Sequence, residues 1–392
     1  MLGQAPHQAR ATHGAHCLAG ATRQALGMSL PHLIALSPED VVAHLAAHGV
    51  TCAPGEARRL LAHVVSDGRR DLRTMKRPVA RVVREAVASL TVDERPAVVE
   101  RVRDDADGFE KLLVRATDGA LFEAVRIPLH KPGRISVCLS SQVGCAMRCA
   151  FCATGRLGLT RNLRAHEMVG AFLAVRDELG PGERVSGAVF MGQGEPLANY
   201  DEVMRAARVL SHPCGGRIEA KNISISTSGL VPQMLRYAEE GHRYRLIVSL
   251  HSAIPERRQR LLPVTGQWSL DEVAHAIRLL HERTGDRVTV AWVVLAGVNT
   301  GDDEVQALRA LLGDVPLRIN LIDVNPIDDA TAGPEAFVRA SPAELARFLD
   351  RLQLLGQPIV RRYSGGQNRD AACGMLAGRR HAANSRSGES AQ

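Results

Sequence analysis

From Arg134 onward, short apolar runs alternate with amphipathic stretches, and this alternation restricts the chain to few folds. Apolar strands separated by amphipathic helices are typical of βα units, whose parallel strands are buried on both faces of the sheet. We therefore predict an α/β fold in which residues 134–380 form a parallel sheet, either curved or closed into a barrel. The strand candidates are ISVCLS, SGAVFMG, NISIST, RLIVSLH, RVTVAWVVL and LRINLIDVN.

Two smaller regions precede the barrel. Residues 31–95 carry apolar residues at helical spacing, and LSPEDVVAHLAAHG offers Ser37 as N-cap and Pro38 as first helical residue. Arg occupies the other faces, so we expect a helical accessory domain with a basic surface. Residues 96–133 change to a period near two in AVVERVRDD, KLLVRATDG and ALFEAVRIP, which indicates a connecting segment of short antiparallel strands.

The composition indicates what kind of partner the protein binds and in which compartment we expect it. The formal net charge of +7 favours an anionic partner, most simply nucleic acid, and an aromatic content of 3% favours phosphate contacts over stacked bases. No apolar run approaches the ~18 residues typical of a membrane helix, so we expect no membrane partner. Residues 1–28 show no apolar signal-peptide core, so we expect a cytoplasmic protein. We predict disordered tails at residues 1–30 and 381–392.

Three cysteines crowd the loop that follows the first strand of the barrel. In VGCAMRCAFCATG the spacing C-x3-C-x2-C joins Cys145, Cys149 and Cys152 at a strand's carboxyl end, where α/β barrels place their sites. Eight cysteines in 392 residues are too few for a disulfide scaffold, so the cluster indicates a metal site. Three thiolates are one fewer than the four ligands of a structural zinc site or of most iron–sulfur clusters, and at a zinc site a distant histidine could supply the fourth.

The spacing of these cysteines, with Phe151 before the third, resembles the cluster loop of the radical S-adenosylmethionine (SAM) superfamily. The resemblance implies that they hold one [4Fe–4S] cluster and that SAM chelates its fourth iron. Further motifs follow in order and are similar to those of the RlmN/Cfr family, whose members methylate adenine in RNA. These motifs are CLSSQVGCAMRCAFCATG, VFMGQGEPLANY, ISISTSGLVP, VSLHSAIPERR, RINLIDVNP and DAACGML.

The similarity covers roughly residues 100–380. It implies that residues 134–380 form a partial, TIM-like (β/α)6 barrel of the radical SAM type, with a [4Fe–4S] cluster and SAM as cofactors. It implies an RNA methyltransferase that acts on an adenine ring carbon, C2 in preference to C8, in 23S ribosomal RNA, transfer RNA or both. It also implies an external electron donor such as flavodoxin, and we expect a monomer. These ring carbons are poor nucleophiles, so direct polar methyl transfer should fail and a radical route is one solution.

The same resemblance assigns roles to three residues. Cys373 matches the thiol that a first SAM methylates, and a 5′-deoxyadenosyl radical from a second SAM then takes a hydrogen atom from that methyl group. The resulting methylene radical adds to the ring carbon and joins protein to RNA. Glu123 matches the general base that removes the ring proton, and Cys138 matches the thiol that resolves the link through a transient disulfide with Cys373.

SAM recognition is expected at the strand ends. In MGQGEP, Gly192 and Gly194 would let the backbone approach the ligand, and Glu195 would accept a hydrogen bond from the SAM ammonium group. A lone histidine such as His251 is more often a packed core residue, but its SLH context favours the pocket. The SAM-binding residues that the family match implies are Gly194, Glu195, Ser226, Ser249, Leu250, His251 and Asn325.

Two segments depart from the family pattern. Asp323 and Val324 stand where the family tends to have Pro and an aromatic residue, and the segment around Cys373 has four substitutions. These differences bear on the RNA target more than on the reaction. The four substitutions are Gly365 for Arg, Asn368 for Asp, Arg369 for Ile and Met375 for Gln.

Two alternatives remain open from the residues themselves. A radical SAM enzyme acting on another substrate, such as a peptide, would not need Cys138, Cys373 and Glu123 together. A zinc-stabilised RNA-binding protein would use the three-cysteine loop with a histidine, and it would contain zinc without iron or sulfide. The remaining cysteines match no motif, and we expect them to be structural. They are Cys17, Cys52 and Cys214.

Overall fold

The computed structural model describes residues 30–325 and 337–362, except the side chains of Val264, Thr265 and Arg362. Its α-helices are α1 (Pro38–Ala46), α2 (Pro54–Leu61), α3 (Arg81–Leu90), α4 (Ala153–Arg156), α5 (Ala165–Arg176), α6 (Tyr200–Ser211), α7 (Val231–Glu240), α8 (Pro255–Leu261), α9 (Leu270–Thr284), α10 (Asp302–Leu312) and α11 (Pro342–Gln353). Its strands are β1 (Ala97–Arg103), β2 (Glu110–Arg115), β3 (Leu121–Pro128), β4 (Arg134–Leu139), β5 (Gln142–Gly144), β6 (Leu159–Asn162), β7 (Arg184–Phe190), β8 (Ile223–Thr227), β9 (Arg245–Ser249), β10 (Val288–Val294), β11 (Leu317–Asp323) and β12 (Ile359–Arg362).

Among the described residues, ten strands form one sheet in the order β1-β2-β3-β4-β7-β8-β9-β10-β11-β12. The first four pair antiparallel and every later pair is parallel, while β5 and β6 form a separate hairpin. The six predicted barrel strands correspond to β4 and β7 to β11, so the predicted partial barrel is confirmed. β12 was not predicted, because its four residues are too few to show a period.

The helices begin and end at the signals that the sequence carries. Ser37 caps α1 in a reciprocal pair, in which its hydroxyl accepts from the Asp40 N–H at 3.1 Å and the Asp40 carboxylate accepts from the Ser37 N–H at 2.9 Å. Ser269 caps α9 in the same way, and Gly285 ends that helix with a left-handed φ of 68°. Among the described helices, none combines the length and apolar character that a bilayer crossing requires.

The helical segment, residues 31–95, packs directly on the barrel. A single hydrophobic core extends from Leu33 in that segment to Leu352 in α11. Just after the segment, Gly170 on α5 permits one close approach, because a Cβ there would lie 2.3 Å from Cδ of Pro96. The segment is therefore held against the barrel by shared packing. The tails predicted at 1–30 and 381–392 lie, apart from residue 30, outside the described residues.

The two faces of the parallel sheet differ in chemistry. The strand register places Cys138, Ser224, Ser226, Ser249 and Asn320 on one face. The residues that alternate with them are apolar and belong to the core between the sheet and its helices. Because these five side chains are small and most of them are polar, they leave space inside the curved sheet near the strand ends.

Candidate active site

A cavity of about 290 Å³ opens at the carboxyl ends of the parallel strands. Parallel strands end on the same edge of a sheet, so the loops that follow them converge there. Leu250 lies fully buried between two residues that line this cavity. The predicted site residues that line it are Cys145, Cys149, Cys152, Gly194, Glu195, Ser226, Ser249, His251 and Asn325.

Hydrogen bonds anchor the cysteine loop, residues 144–158, on two sides. The Cys145 N–H donates to the carbonyl of Gly158 at 2.8 Å, which closes the loop beside the β5–β6 hairpin. The Ala150 N–H donates to the carbonyl of Leu261 at 2.9 Å, which joins the loop to the end of α8. The loop is therefore positioned by the barrel before any metal binds.

The three thiols are close enough to affect one another's ionisation. Burial raises the pKa of Cys145 to about 12, and the charge of Cys152 adds to this rise. Burial also raises the pKa of Cys149, followed by the charges of Cys152 and Cys145. Such thiols stay protonated at neutral pH until metal ions replace their protons. Soft thiolates in a pocket shielded from water are the donors that iron–sulfur clusters use, so these residues fit that group.

A zinc site makes a different geometric demand. Structural zinc needs four ligands around one point, whereas each thiolate of a [4Fe–4S] cluster binds a separate iron atom. Within residues 30–325 and 337–362, no three His, Cys, Asp or Glu side chains are arranged to hold a single ion. A [4Fe–4S] cluster does not require the three thiols to converge on one point.

Glu195 forms part of the cavity wall and is held by three hydrogen bonds. Its Oε1 accepts from the Leu197 N–H at 2.9 Å, and its Oε2 accepts from the N–H and hydroxyl of Ser228 at 2.7 and 2.9 Å. Burial raises the pKa of Glu195, and these hydrogen bonds oppose the rise. Each carboxylate oxygen has two lone pairs and Oε1 uses one of them, so Glu195 can accept a further bond from a ligand.

The glycine-rich loop, residues 191–196, needs its glycines for packing within the protein. Gly194 has a φ of 98°, and a Cβ there would lie 2.5 Å from Cβ of Gln142 in β5. At Gly192 a Cβ would lie 2.8 Å from the backbone nitrogen of Ser140. The sequence interpretation was that these glycines allow close approach of a ligand. The structure adds a cause, the close approach of the loop to the chain between β4 and β5.

His251 is a neutral imidazole with a defined tautomer. Its Nδ1 accepts a hydrogen bond from the Val293 N–H at 3.0 Å, so the ring proton resides on Nε2. Burial, and next the charge of Arg258, lower the pKa of His251 to about 3. Its ring meets Phe151 of the cysteine loop edge to face, with centroids 4.8 Å apart. His251 thus combines a packed core position with a place in the cavity wall.

Asp323 and Val324, which depart from the family pattern, also form part of the cavity wall next to Asn325. Asp323 accepts from Arg361 of β12 at 2.7 Å, and Val324 packs in a small apolar cluster against the cysteine loop. The amide oxygen of Asn325 accepts from Arg339 at 3.2 Å. The substituted residues therefore still build this side of the cavity.

A second group of predicted residues lies on neighbouring strands. Val125 of β3 pairs with Cys138 of β4, and Glu123 lies two residues from Val125, so Glu123 and Cys138 share one face of the sheet. Lys111 of β2, which the sequence interpretation missed, places Nζ 3.6 Å from Oε2 of Glu123. Glu123 and Lys111 are buried. Cys373, the third predicted catalytic residue, lies outside the described residues, as do the four substitutions around it.

Ser140 links this second group to the cavity. Its hydroxyl donates to the carbonyl of Glu123 at 2.6 Å and accepts from the Gln193 N–H at 3.0 Å. Gln193 lies between the two glycines of the glycine-rich loop. The Glu123–Cys138 face and the cysteine cavity therefore adjoin each other at this loop.

Asn299 is a positioning residue that no motif indicated. It is fully buried, and its side-chain amide donates to the carbonyls of His251 and Val293, both at 2.7 Å. Its amide oxygen accepts from the Leu295 N–H at 2.8 Å. Asn299 thus ties the end of β10 to the loop that carries His251. An Asn just beyond a strand end was the only signal in the sequence, and that signal is common in turns.

Comparison with known proteins identifies related chains over most of this length. The Radical SAM superfamily model matches residues 139–311. A probable RNA methyltransferase of Anaeromyxobacter sp. (strain Fw109-5) is 48% identical, over 83% of this chain and 93% of its own length. The dual-specificity RNA methyltransferase RlmN of Sorangium cellulosum is 35% identical, over 88% of this chain and 95% of its own length.

A solved structure agrees with these matches in fold as well as in sequence. The crystal structure of a radical SAM methyltransferase from Sphaerobacter thermophilus superposes with a TM-score of 0.79 at 36% sequence identity. The match covers 88% of this chain and 99% of that one.

Proposed function

The chain belongs to the radical SAM RNA methyltransferases of the RlmN type, and on this premise we propose that it methylates an adenine ring carbon in RNA, C2 in preference to C8. As a member of this family it is a SAM-dependent RNA methyltransferase that uses a [4Fe–4S] cluster and SAM. The proposed substrates are 23S ribosomal RNA, transfer RNA or both. The proposal includes a cytoplasmic monomer that receives electrons from a donor such as flavodoxin.

The observation that carries the proposal is the contiguity of two groups of residues. The three thiols and all of the predicted SAM-binding residues except Leu250 line one cavity. Glu123 and Cys138 share a sheet face that adjoins this cavity through Ser140. A radical enzyme of this kind has to generate its radical close to the groups that handle the base. The arrangement supplies that proximity.

We assign the cavity residues to two cofactors. Cys145, Cys149 and Cys152 would hold the cluster, and the glycine-rich loop with Glu195 and His251 would hold SAM. Together the cluster and SAM supply the methyl group and the 5′-deoxyadenosyl radical. Glu195 would accept from the ammonium group, and the Nε2–H of His251 would donate to an acceptor on the same ligand. The other SAM-binding residues in this proposal are Gly194, Ser226, Ser249, Leu250 and Asn325.

Three side chains would then act on the base. Cys373 would carry the methyl group as a thioether and form the covalent link to the ring carbon. Glu123 would take the proton from that ring carbon, and the electron that the adduct also gives up would return to the oxidised cluster. Cys138 would attack the sulfur of Cys373, so that a disulfide replaces the bond between sulfur and carbon. The methylene carbon keeps the electron pair of the broken bond, takes up a proton and becomes the methyl group on the base.

The helical segment supports RNA as the partner. Residues 69–84 contain seven Lys and Arg and one Asp, a net charge of 7 − 1 = +6. A groove of about 610 Å³ is bordered by Arg70, Arg73, Arg81 and Arg84 together with Asp71, Glu85 and Asp93. Contacts to phosphate give affinity and orientation without reading sequence, which suits an accessory domain. The exposed cations are Arg69, Arg70, Arg73, Lys76, Arg77 and Arg81.

The decisive experiment uses SAM with a trideuterated methyl group. Anaerobically reconstituted protein is incubated with ribosomal and transfer RNA from cells that lack this gene, and nucleosides are analysed by mass spectrometry. We expect methyladenosine with two donor deuterons, because one is lost when the methylene radical forms, and its chromatographic position separates C2 from C8. Methyladenosine with three deuterons would contradict the radical route.

Variants test the residue assignments in the same assay. Cys138→Ala and Glu123→Gln should abolish turnover and leave protein and RNA covalently linked. Cys52→Ala is a matched control, because Cys52 is a buried cysteine of the helical segment. Cleavage of SAM to 5′-deoxyadenosine without any methyladenosine would instead point to a different substrate, such as a peptide.

A further inference from the structure

Arg258 of α8 is a buried cation that lacks the usual partner. It is 2% exposed, and its Nη2 donates to the carbonyl of Ser228 at 2.7 Å. Its Nη1 donates to the carbonyl of Ser249 at 2.9 Å and also to that of Leu250. All of these acceptors are neutral. Across the described ranges, no carboxylate lies within ion-pair distance of this guanidinium.

Arg257, the preceding residue, has the carboxylate partners that Arg258 lacks. Arg257 pairs with Glu304 at 2.6 Å and with Asp303 at 2.8 Å. Carbonyl oxygens satisfy the hydrogen bonds of a guanidinium, but they do not cancel its charge, and a buried charge without a counter-charge destabilises the fold. Burial lowers the pKa of Arg258 to about 10, so it remains a cation at neutral pH. An anion should therefore reach this site in the working protein.

The nearest candidate for that anion is the cysteine loop. The last residue of α8, Leu261, accepts the hydrogen bond from Ala150 in the middle of that loop. The hydroxyl oxygen of Ser228, whose carbonyl binds Arg258, lies 3.2 Å from Sδ of Met147 in the same loop. Cys149 is the charged group whose field opposes the burial effect on Arg258. Arg258 is thus connected, through α8 and through Ser228, to the loop that carries the three thiolates.

We propose that Arg258 is the built-in counter-charge of the iron–sulfur cluster, a fixed cation that balances the charge of the cluster-bound thiolates. The proposal rests on the assignment of Cys145, Cys149 and Cys152 as cluster ligands. Reduction adds one negative charge to the cluster, so a fixed cation stabilises the reduced form more than the oxidised form. Arg258 therefore raises the midpoint potential of the cluster and makes the electron easier to deliver. Arg258 is a positioning residue in this role, because it acts through the cluster.

Two substitutions separate charge from hydrogen bonding. Arg258→Lys keeps the charge but loses the planar fork, and Arg258→Gln keeps donors but loses the charge. The proteins are reconstituted anaerobically, their iron and sulfide are measured, and the cluster is titrated with reductant under electron paramagnetic resonance. Thermal unfolding is followed with and without the cluster. Arg260→Gln, on the exposed side of α8, is the matched control.

We expect a more negative midpoint potential for Arg258→Gln and a value close to that of the unsubstituted protein for Arg258→Lys and Arg260→Gln. The loss of thermal stability in Arg258→Gln should be larger with the cluster than without it. An unchanged potential, together with equal losses with and without the cluster, would overturn the proposal and leave Arg258 as a tie between carbonyls. These readouts need no RNA, so a failure of the methylation proposal would show separately in the nucleoside assay.

Discussion

Lys111 is the residue on which the proposed general base most depends. Its ammonium nitrogen lies 3.6 Å from Oε2 of Glu123, and the two side chains are 0% and 4% exposed. Inside the sheet water screens this attraction only weakly, so removal of one partner would take away an attraction that stabilises the other charge. Lys111 therefore sets the charge environment in which Glu123 would take a proton from the base.

A double-mutant cycle tests this pairing. We expect Lys111→Met to lower the free energy of unfolding by about 3 kcal/mol, because it leaves a buried carboxylate without its cation. Adding Glu123→Gln should recover at least about 1 kcal/mol, since no charge then remains unbalanced. Urea denaturation of the four proteins measures the coupling. If the double variant loses the sum of the two single losses, the two residues do not stabilise each other.

Single residues were predictable from the sequence where a motif named them. The spacing of Cys145, Cys149 and Cys152 indicated a metal site from three positions alone. Lys111 and Asn299 belong to no such pattern. A lysine in an alternating strand is usually taken as solvent-exposed, and its partner Glu123 lies on the next strand, so only the strand register reveals the pair. The roles of the individual site residues stay predictions that the proposed variants test.

At the scale of elements, the glycine-rich loop shows how packing and ligand binding compete for the same residues. Gly194→Ala introduces strain at a φ of 98° and a Cβ 2.5 Å from Gln142. Gly182→Ala is the matched control, because Gly182 has a φ of 83° but nothing within 4 Å of the added Cβ. The two variants therefore share the backbone strain and differ in whether the added Cβ meets a neighbouring residue.

We expect Gly194→Ala to lose about 1–3 kcal/mol more unfolding free energy than Gly182→Ala, because overpacking adds to the left-handed strain. It should also weaken SAM binding, since the loop must move away from β5 and into the cavity wall. Urea denaturation and calorimetric titration with SAM measure the two effects. Equal losses in both variants would show that backbone strain alone accounts for the glycine.

The junction between the helical segment and α5 contains a stacked pair, His32 and His166, with ring centroids 3.4 Å apart. Burial first, and then the charge of His32, lower the pKa of His166 from 6.5 to about 4. In this range the unfolded chain binds a proton that the folded protein excludes, so the contribution of His166 is present above pH 6.5 and is lost as the pH falls toward 4.

The expected loss at this junction is about 2 kcal/mol of unfolding free energy between pH 7 and pH 5 from His166 alone. His166→Phe keeps an aromatic ring against His32 but removes the titrating group, so its unfolding free energy should fall less over the same range. Urea denaturation at several pH values gives both slopes. The same pH dependence in the two proteins would rule out this histidine as its source.

Helices and strands could be predicted from the sequence where they have a long hydrophobic period or short-range capping residues. Ser37, Ser269 and Gly285 mark helix ends through short-range hydrogen bonds and backbone conformation, and the structure has helix ends at those positions. β12 is too short to show a period, and it exists because the edge of β11 offers backbone partners. The pairing of distant segments is set by the whole sheet, so local patterns do not contain it.

Across the whole molecule, the candidate active site and the densest positive charge lie in different parts of one packed structure. The cavity lies at the strand ends of the barrel, whereas the densest positive charge lies at residues 69–84 of the helical segment. The shared hydrophobic core fixes the two parts relative to each other. An RNA held by its backbone on the helical segment would therefore be presented to the barrel in a constant orientation.

This separation leads to a prediction about affinity and turnover. Arg77→Gln combined with Arg81→Gln removes two exposed cations of the helical segment while leaving the cavity intact. We expect weaker RNA binding and a smaller dependence of log affinity on log salt, by about one for each phosphate that the variant no longer binds. The KM for RNA should rise, and kcat at saturating RNA should stay close to that of the unsubstituted enzyme, because neither side chain lies at the cavity.

The control for this prediction must remove equal charge from another surface. Arg283→Gln combined with Arg347→Gln does so, because both side chains are exposed on barrel helices, near the end of α9 and in α11. Filter binding at several salt concentrations and methylation kinetics compare the two double variants. Equal salt slopes would mean that RNA senses only the overall charge of the protein. A lower slope for Arg77→Gln with Arg81→Gln alone would place the RNA backbone on the helical segment, and the base would then have to reach Glu123 from that side of the barrel.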